Sequence, residues 1–276
     1  MSIPELSVEV ARERTADVEY KIAANFEERA SAFRLVYESY LRAGLGEPNP
    51  CALRVTPYHL LPTTEVLIAV LRGETFFTMS LVMDGELGLP MEAVYGDEVA
   101  ARRKQGRRIA EVSCLADRRK NFRGFFPVFL RLSRLTTQYA QREGMDELLI
   151  AVHPKHARFY RRLLNFEPIG QQKAYPSVRN RPAVALCLDF ARLRREHPST
   201  CETLFGKPFP DKQLKPRPIT TAERDFFRPM VDPSFDFAPM GEVDDLFAGG
   251  RLEPAPEVGA AAVNRTMGVS QATVYG

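Results

Sequence analysis

One stretch decides the fold: residues 107–166 read RRIAEVSCLADRRKNFRGFFPVFLRLSRLTTQYAQREGMDELLIAVHPKHARFYRRLLNF. Two strand patterns, at 109–116 and 147–152, alternate in it with two helical patterns, at 125–143 and from Pro154 onward. Strands that alternate with helices in this way are typical of parallel pairing, with the helices packed on the faces of the sheet.

The flanking segments extend this unit on both sides. Before it, an amphipathic helix and a proline-rich loop precede two strands, which the short link at residues 72–74 joins as a hairpin. After it come two strand patterns, at 169–174 and 183–190. Beyond His197 the chain is rich in proline and has no sustained period, apart from a short helical pattern at 221–227. The sequence predicts an α/β (α+β) fold with a mixed central sheet flanked by helices and an irregular, proline-rich C-terminal extension.

The chain divides into three predicted units. With 276 residues it has room for one large domain with extensions, and 45% hydrophobic residues is ordinary for a globular protein. We expect an N-terminal extension at 1–19, a folded domain at 20–197 and a C-terminal extension at 198–276 that is partly disordered.

Composition argues against several classes of protein. The longest apolar run, VLIAVL at 66–71, is far short of the roughly 20 residues that a membrane span needs. No apolar signal-peptide segment is visible either, so we expect a cytoplasmic protein that is not transmembrane. Four widely spaced cysteines form neither a zinc-ligand pattern nor a disulfide framework, which favours reduced thiols and no metal site. The oligomeric state stays open.

Positive charge is concentrated between residues 102 and 123, where nine basic residues stand against two acidic ones, although the net charge is only +3. This concentration favours docking of an acidic protein, and a solvated charged face is the alternative. Nucleic-acid binding is disfavoured because few aromatic residues are interleaved and no binding motif is present. The residues predicted to dock a partner are Arg102, Arg103, Lys104, Arg118, Arg119 and Lys120.

The strand pattern at 109–116 has two unlike faces. Its even positions are small and apolar, while its odd positions include Glu111 and Ser113. A glutamate in a central strand is costly to bury without a partner or a task. Glu111 is therefore the candidate general base, with a salt bridge to Arg34 or another helix arginine as the alternative.

Two motifs carry a resemblance to known families. The residues ARFYRRLLNF at 157–166 resemble the helix ending of the GNAT acyltransferase superfamily, although Asn165 stands where glycine is usual and one extra residue follows Tyr160. The strand AEVSCLA at 110–116 is similar to the E-[VI]-S-x-x-A strand of acyl-homoserine-lactone (autoinducer) synthases and of long-chain N-acyl amino acid synthases of the FeeM type. The second group is closer, because Cys114 replaces the arginine of the lactone synthases and the chain has no tryptophan.

The resemblance implies a GNAT-like N-acyltransferase. Such an enzyme would move a long-chain fatty acyl group from the phosphopantetheine of acyl carrier protein directly to the amine of an amino acid, with no cofactor bound. Coenzyme-A-dependent members usually show [QR]-x-x-G-x-[GA] before the long helix, whereas the aligned residues here are Asn121, Gly124 and Phe126. The bulky Phe126 argues against a tight pyrophosphate cradle. A coenzyme-A thioester donor, as in an acetyl-coenzyme-A-dependent N-acetyltransferase, and a non-catalytic binding module remain the alternatives.

The resemblance also implies roles for individual residues. Glu111 would accept a proton from the amine, and Tyr160 would donate one to the leaving thiolate. Tyr160 could instead be a core tyrosine, and His153 could relay a proton or, more simply, cap the helix that follows it. Ser113 is either an acceptor contact or a plain strand serine. The full set of predicted substrate-binding residues is Ser113, Cys114, Leu115, Ala116, Phe122, Arg123, Gly124 and Phe125.

Overall fold

The computed structural model describes residues 18–119 and 122–233, without the side chains of residues 122 and 123. The expected disorder at the end of the chain lies outside these residues. Eight strands are described: β1 (Val18–Ile22), β2 (Thr64–Leu71), β3 (Glu74–Met83), β4 (Ile109–Asp117), β5 (Glu147–Val152), β6 (Glu167–Pro168), β7 (Lys173–Tyr175) and β8 (Arg181–Asp189). Seven α-helices are described: α1 (Phe26–Arg42), α2 (Glu92–Lys104), α3 (Phe122–Arg142), α4 (Pro154–Leu164), α5 (Phe190–Glu196), α6 (Pro198–Phe205) and α7 (Thr221–Phe227).

The strands form a mixed sheet in the order β1-β2-β3-β4-β5-β8-β6, and β7 pairs with the other end of β8. All pairs are antiparallel except β4 and β5, which are parallel as the alternation of strands and helices predicts. The predicted hairpin is also confirmed, since β2 and β3 are joined at Arg72 and Gly73, both in the left-handed region. The mixed sheet flanked by helices is thus the one that the sequence predicts.

Helices cover both faces of the sheet. On β2, Leu67 packs in the same cluster as Phe129 of α3, whereas Ile68 packs with Phe33 of α1. Helix α4 lies on the α3 face, and α2 lies on the α1 face, where Tyr95 is fully buried. Because successive side chains of a strand point to opposite faces, each central strand contributes to two separate cores.

Strand β4 carries a bulge at Cys114. Thr78 of β3 pairs with Ala116, but Ser80 pairs with Ser113, so β4 has one residue more than β3 between these pairs. Cys114 takes up the extra residue in a left-handed conformation, with φ of 51°.

The bulge changes which residues of β4 share a face. Ala110, Val112 and Leu115 belong to the core under α3, whereas Cys114 and Ala116 pack against α1. The expectation that all even positions of 110–116 face one way was therefore wrong beyond Val112. An inserted residue in a strand reverses the alternation after it, and no turn residue in the sequence marks the position.

The predicted strand at 169–174 was wrong over most of its length, because β6 ends at Pro168, residues 169–172 are irregular and β7 begins only at Lys173. Tyr95 of α2 fills the space between them. Its hydroxyl lies 3.1 Å from the carbonyl oxygen of Gln171 and 2.7 Å from that of Ala183. A side chain at Gly170 would collide with the Tyr95 ring, so this close approach requires a glycine.

The described part of the C-terminal segment packs on the core. The predicted helix at 221–227 is confirmed as α7, and its Phe227 lies edge-on against Phe33 of α1. Arg29 of α1 donates to Glu223 of α7 at 2.6 Å in a buried ion pair. In the described ranges, no helix combines the length and the apolar content that a membrane crossing requires.

Candidate active site

A cavity of about 810 Å³ opens where β4 and β5 separate. The two strands pair only from Ile109 to Glu111 on β4, opposite Glu147 to Leu149 on β5. Both strands continue beyond this point without pairing with each other, so a gap forms in the middle of the sheet. The cavity is lined by residues of both strands, and of helices on both faces, which means that it passes through the sheet.

The two halves of the cavity differ in chemistry. On the α3 face the lining is mainly apolar and includes Phe125, Phe129 and Ile150. On the α1 face it is polar. The polar residues on that side are Tyr40, Arg54, Thr56, Glu111, Tyr175, Ser177 and Arg181. The gap between β4 and β5 connects an apolar chamber with a polar one.

Glu111 lies at this connection and is almost fully buried, with 2% of its surface exposed. Its Oε2 accepts a 2.7 Å hydrogen bond from the backbone N–H of Met91. Neither Arg34 nor any other cation of the described residues forms an ion pair with it, so the salt-bridge alternative was wrong. Burial raises the pKa of Glu111 to about 8, and the negative charge of Glu92 adds to the effect. A carboxyl with such a pKa can accept a proton from an amine near neutral pH.

Three tyrosines that the sequence did not reveal as part of the site interact with Glu111. Burial raises the pKa values of Tyr40, Tyr58 and Tyr175, and the carboxylate of Glu111 raises them further. All three therefore stay protonated and can donate hydrogen bonds. They come from the end of α1, the proline-rich loop and β7, and no periodic pattern links these segments.

Tyr160 of α4 also lines the cavity. Its ring meets those of Phe129 and Phe166, each with a centroid separation of 5.8 Å. Its hydroxyl has no hydrogen-bond partner within the described residues, so it is not a core tyrosine with a satisfied hydroxyl. Burial raises the pKa of Tyr160 well above its usual value, which keeps the proton available for donation.

His153 caps the helix that carries Tyr160. Its Nδ1 accepts the backbone N–H of Lys155 at 3.2 Å, which is the capping arrangement that the sequence favoured. The ring also lines the cavity, as do Lys155 and His156. A proton-relay role for His153 stays a prediction.

The predicted substrate-binding residues fall into three groups. Those that line the cavity are Ser113, Cys114, Leu115 and Phe125. Ala116 packs against α1, and Gly124 lies in the first turn of α3, where its carbonyl oxygen accepts from Arg119 at 2.7 Å; neither lines the cavity. The side chains of Phe122 and Arg123 lie outside the described residues.

The basic residues predicted to form one patch lie at opposite ends of β4. Arg102, Arg103 and Lys104 end helix α2, near the start of β4, whereas Arg118 and Arg119 follow its end. A strand of this length separates the two groups by about 30 Å, at about 3.3 Å per residue. The single patch was therefore wrong, because a strand hidden in the middle of the charged segment divides it.

Carboxylates neutralise much of this charge. Arg102 pairs with Glu147 at 3.5 Å, and Arg103 pairs with both Asp84 and Glu92. Lys104 is exposed and forms no ion pair with a described residue. These contacts tie α2 to the sheet, and they reduce the positive potential available to a partner.

At the other end, Arg119 holds the loop that leads into α3. It donates to Asp117 at 2.9 Å, and its guanidinium lies 4.6 Å from the centroid of the Phe76 ring. Arg118 forms an exposed pair with Glu74 at 3.3 Å. Lys120 lies outside the described residues. A docking role for these residues stays a prediction.

A mixed sheet with a gap between two parallel strands, and a buried carboxyl and a tyrosine on either side of that gap, define a GNAT-like N-acyltransferase. The sequence model of one family, described as N-acyl amino acid synthase FeeM, matches residues 31–189. The chain belongs to the FeeM family of N-acyl amino acid synthases, and the resemblance stated from the sequence is confirmed.

The comparison with solved structures found one N-acyl amino acid synthase and several acyl-homoserine-lactone synthases. The chain is 30% identical to FeeM, an N-acyl amino acid synthase from uncultured soil microbes, over 65% of this chain and 94% of that one, with a TM-score of 0.57. The acyl-homoserine-lactone synthase LasI is 15% identical over 70% of this chain and 96% of its own, with a TM-score of 0.50, and shows the fold alone. BjaI, described as a coenzyme-A-dependent acyl-homoserine-lactone synthase, is 15% identical over 76% of this chain and 99% of its own, with a TM-score of 0.47. No curated protein matches the chain in sequence.

Proposed function

We propose that this N-acyltransferase transfers a long-chain fatty acyl group from acyl carrier protein to the amine of an amino acid. The length of the apolar chamber carries this proposal. Helix α3 lines it from Phe125 to Thr137, a distance of about 18 Å at about 1.5 Å per residue. An acetyl group would leave most of such a chamber empty, whereas a long acyl chain would fill it.

The proposed reaction is a direct transfer. Glu111 takes a proton from the acceptor ammonium, and the nitrogen lone pair then forms a bond to the thioester carbonyl carbon. When the tetrahedral intermediate collapses, the carbon–sulfur bond breaks and sulfur leaves with the electron pair. Tyr160 donates its proton to that thiolate, while the nitrogen releases its second surplus proton to solvent as the amide forms, and Tyr160 and Glu111 return to their starting protonation states by exchange with solvent. The products are an amide and a free thiol, and no covalent enzyme intermediate is needed.

The proposed donor enters through the gap between β4 and β5. Beyond Glu111 and Leu149 the facing edges of β4 and β5 do not pair with each other, so backbone groups along these edges can bond the amides of a pantetheine arm. Phe126 is bulky where a coenzyme-A loop needs a small residue, which supports a donor without a pyrophosphate.

The outer surface of α4 supports a carrier protein as the donor. Arg158, Arg161 and Arg162 are exposed there, and none of them forms an ion pair with a described residue. They line a groove of about 610 Å³ together with Arg192 and His197. Because α4 begins at the cavity mouth, with Lys155 lining the cavity, an acidic carrier docked on this helix could reach the gap with its arm.

The test is to incubate the protein with mixed amino acids and one of three matched long-chain thioesters: acyl carrier protein, coenzyme A or pantetheine. Mass spectrometry would follow the N-acyl products. We expect N-acyl amino acids to form, and to form fastest from the carrier protein. Equal or faster reaction with coenzyme A would overturn the donor assignment, and the absence of N-acyl amino acids from all three donors would overturn the function.

A further inference from the structure

We infer that Arg181 binds the α-carboxylate of the acceptor, and so selects amino acids over other amines. This inference rests on the proposed function, because it concerns the acceptor of that reaction. It begins from the charges in the polar chamber, where Glu111 faces the amine and two arginines, Arg54 and Arg181, line the wall.

Arg54 is already occupied. Its Nη1 donates to Asp232 at 2.5 Å, and its Nη2 donates to the carbonyl oxygen of Ser177 at 2.8 Å. Only 4% of the residue is exposed, so this is a buried, neutralised ion pair. Binding a substrate carboxylate there would require the pair with Asp232 to break, which is costly in a buried site.

Arg181 differs from Arg54 in both exposure and ion pairing. It is exposed at the start of β8, and within the described ranges no carboxylate pairs with it. Its charge is therefore available to a ligand of the chamber that it lines.

The position of Arg181 is defined by its neighbours. It is the cross-strand partner of Tyr175 on β7, and directly opposite side chains of an antiparallel pair lie on the same face. Tyr175 interacts electrostatically with Glu111. The Arg181 guanidinium also lies next to Gly44, so close that a Cβ at Gly44 would be 3.6 Å from Nη2. Arg181 thus extends from β8 toward the end of α1, across the wall of the polar chamber.

An amino acid can bridge these groups as a zwitterion. With its carboxylate on Arg181, its ammonium can point toward Glu111 at the gap where the thioester arrives. A guanidinium presents paired donors that match the two oxygens of a carboxylate, whereas an uncharged substituent gains little from it. The chamber would therefore favour acceptors that carry a carboxylate beside the amine.

The test compares Arg181→Ala with Arg179→Ala as its control. Arg179 is a nearby exposed arginine that pairs with Glu47 and does not line the cavity. For each variant, KM and kcat are measured with the best amino acid and with its α-carboxamide, using the donor that works best. Arg181→Ala should raise KM for the amino acid by roughly 10- to 100-fold, the usual effect of losing a charge-assisted hydrogen bond. The kcat of Arg181→Ala and its KM for the carboxamide should change little. For Arg179→Ala, KM and kcat should change little with either substrate.

Arg181→Lys should restore part of the preference, because it keeps the charge but not the paired donors. Equal use of amino acid and carboxamide by the unmodified protein would overturn the inference, as would an unchanged KM in Arg181→Ala. If no thioester supports turnover, the proposed function fails, and the inference is tested by saturation-transfer NMR with the amino acid and its carboxamide. Binding of the amino acid that Arg181→Ala abolishes would then support it, and binding unaffected by the substitution would contradict it.

Discussion

The backbone N–H of Met91 donates to Glu111 at 2.7 Å, and this hydrogen bond is the one direct contact that stabilises the negative charge of Glu111 among the described residues. Its effect is smaller than that of burial, which raises the pKa of the carboxyl to about 8. A base with this pKa is mostly protonated at pH 7, half ionised near pH 8 and fully active only above about pH 9.

The raised pKa of Glu111 leads to a first prediction, which concerns the pH dependence of catalysis. In the unmodified protein, kcat/KM should rise with an inflection near pH 8 and level off above about pH 9, measured with a donor thioester that is stable over the range. Glu111→Gln should remove the inflection and lower kcat/KM by about 10²- to 10⁴-fold, the usual contribution of a general base. Glu65→Gln is the matched control, because Glu65 is buried with a raised pKa but does not line the cavity. A Glu111→Gln variant that retains the inflection would assign it to another group.

The same pKa predicts how stability depends on pH. The folded-state pKa of Glu111 lies above the unfolded value of about 4.3, so its favourable contribution is complete below pH 4 and is lost as the pH rises through 8. Glu111→Gln cannot ionise and should lose less stability over that interval. Between pH 5 and pH 9, the free energy of unfolding of the variant should rise by about 4 kcal/mol relative to that of the unmodified protein, measured by urea denaturation at several pH values. Parallel curves for the two proteins would show that Glu111 titrates normally.

The sequence predicted most of the strands and helices, because their signals are local. Apolar alternation, the hairpin link and helix capping each act over a few residues; Asn25, for example, caps α1 by accepting the backbone N–H of Glu28. The bulge at Cys114 was missed because it depends on how β4 pairs with β3. The division of the basic cluster was missed for a related reason, since charge counted along the chain ignores the strand that separates its two parts.

The candidate site was predicted in part for similar reasons. Glu111 and Tyr160 lie in segments with recognisable motifs, and both line the cavity. Tyr175, Arg54 and Arg181 come from irregular or short segments that only the tertiary fold brings beside β4. Their contribution could not be read from spacing along the chain.

A third prediction concerns the C-terminal segment. Arg29 and Glu223 form a buried ion pair between α1 and α7, and Arg29 also donates to the carbonyl oxygen of Arg217. Arg29→Ala should destabilise the protein by about 3–5 kcal/mol, because it leaves the Glu223 charge buried and unpaired. Arg142→Ala, which breaks the exposed pair with Asp211, should cost less than about 1 kcal/mol. Equal losses in thermal or urea denaturation would mean that α7 is not firmly attached to the core.

A fourth prediction concerns acyl-chain length. Thr137 lines the far end of the apolar chamber, and Thr137→Leu should shorten it. We expect kcat/KM to fall for the longest acyl donors and to stay unchanged for shorter ones, because only a long chain reaches that end. Gln141→Leu, one turn further along α3 and exposed, is the control and should leave the preference unchanged. An equal loss for every donor length would place the acyl chain elsewhere.

The last prediction separates the docking surface from the reaction itself. Arg158 and Arg161 on α4 carry exposed positive charge without an ion-pair partner in the described residues. The double substitution Arg158→Glu and Arg161→Glu should lower kcat/KM for the carrier-protein thioester by roughly tenfold, mainly through slower association, and the effect should shrink at high salt. The pantetheine thioester carries no protein and should react as before.

Two exposed lysines provide a control with the same change in net charge. Lys207 and Lys215 lie away from the cavity, in the segment that follows α6, so Lys207→Glu with Lys215→Glu should leave both donors unaffected. A loss with the carrier protein in both double variants would indicate that overall charge, not α4, attracts the carrier. A loss with the pantetheine thioester in the α4 variant would indicate damage to the site, because α4 also carries Tyr160. Only a carrier-specific loss confined to the α4 variant assigns the docking surface to that helix.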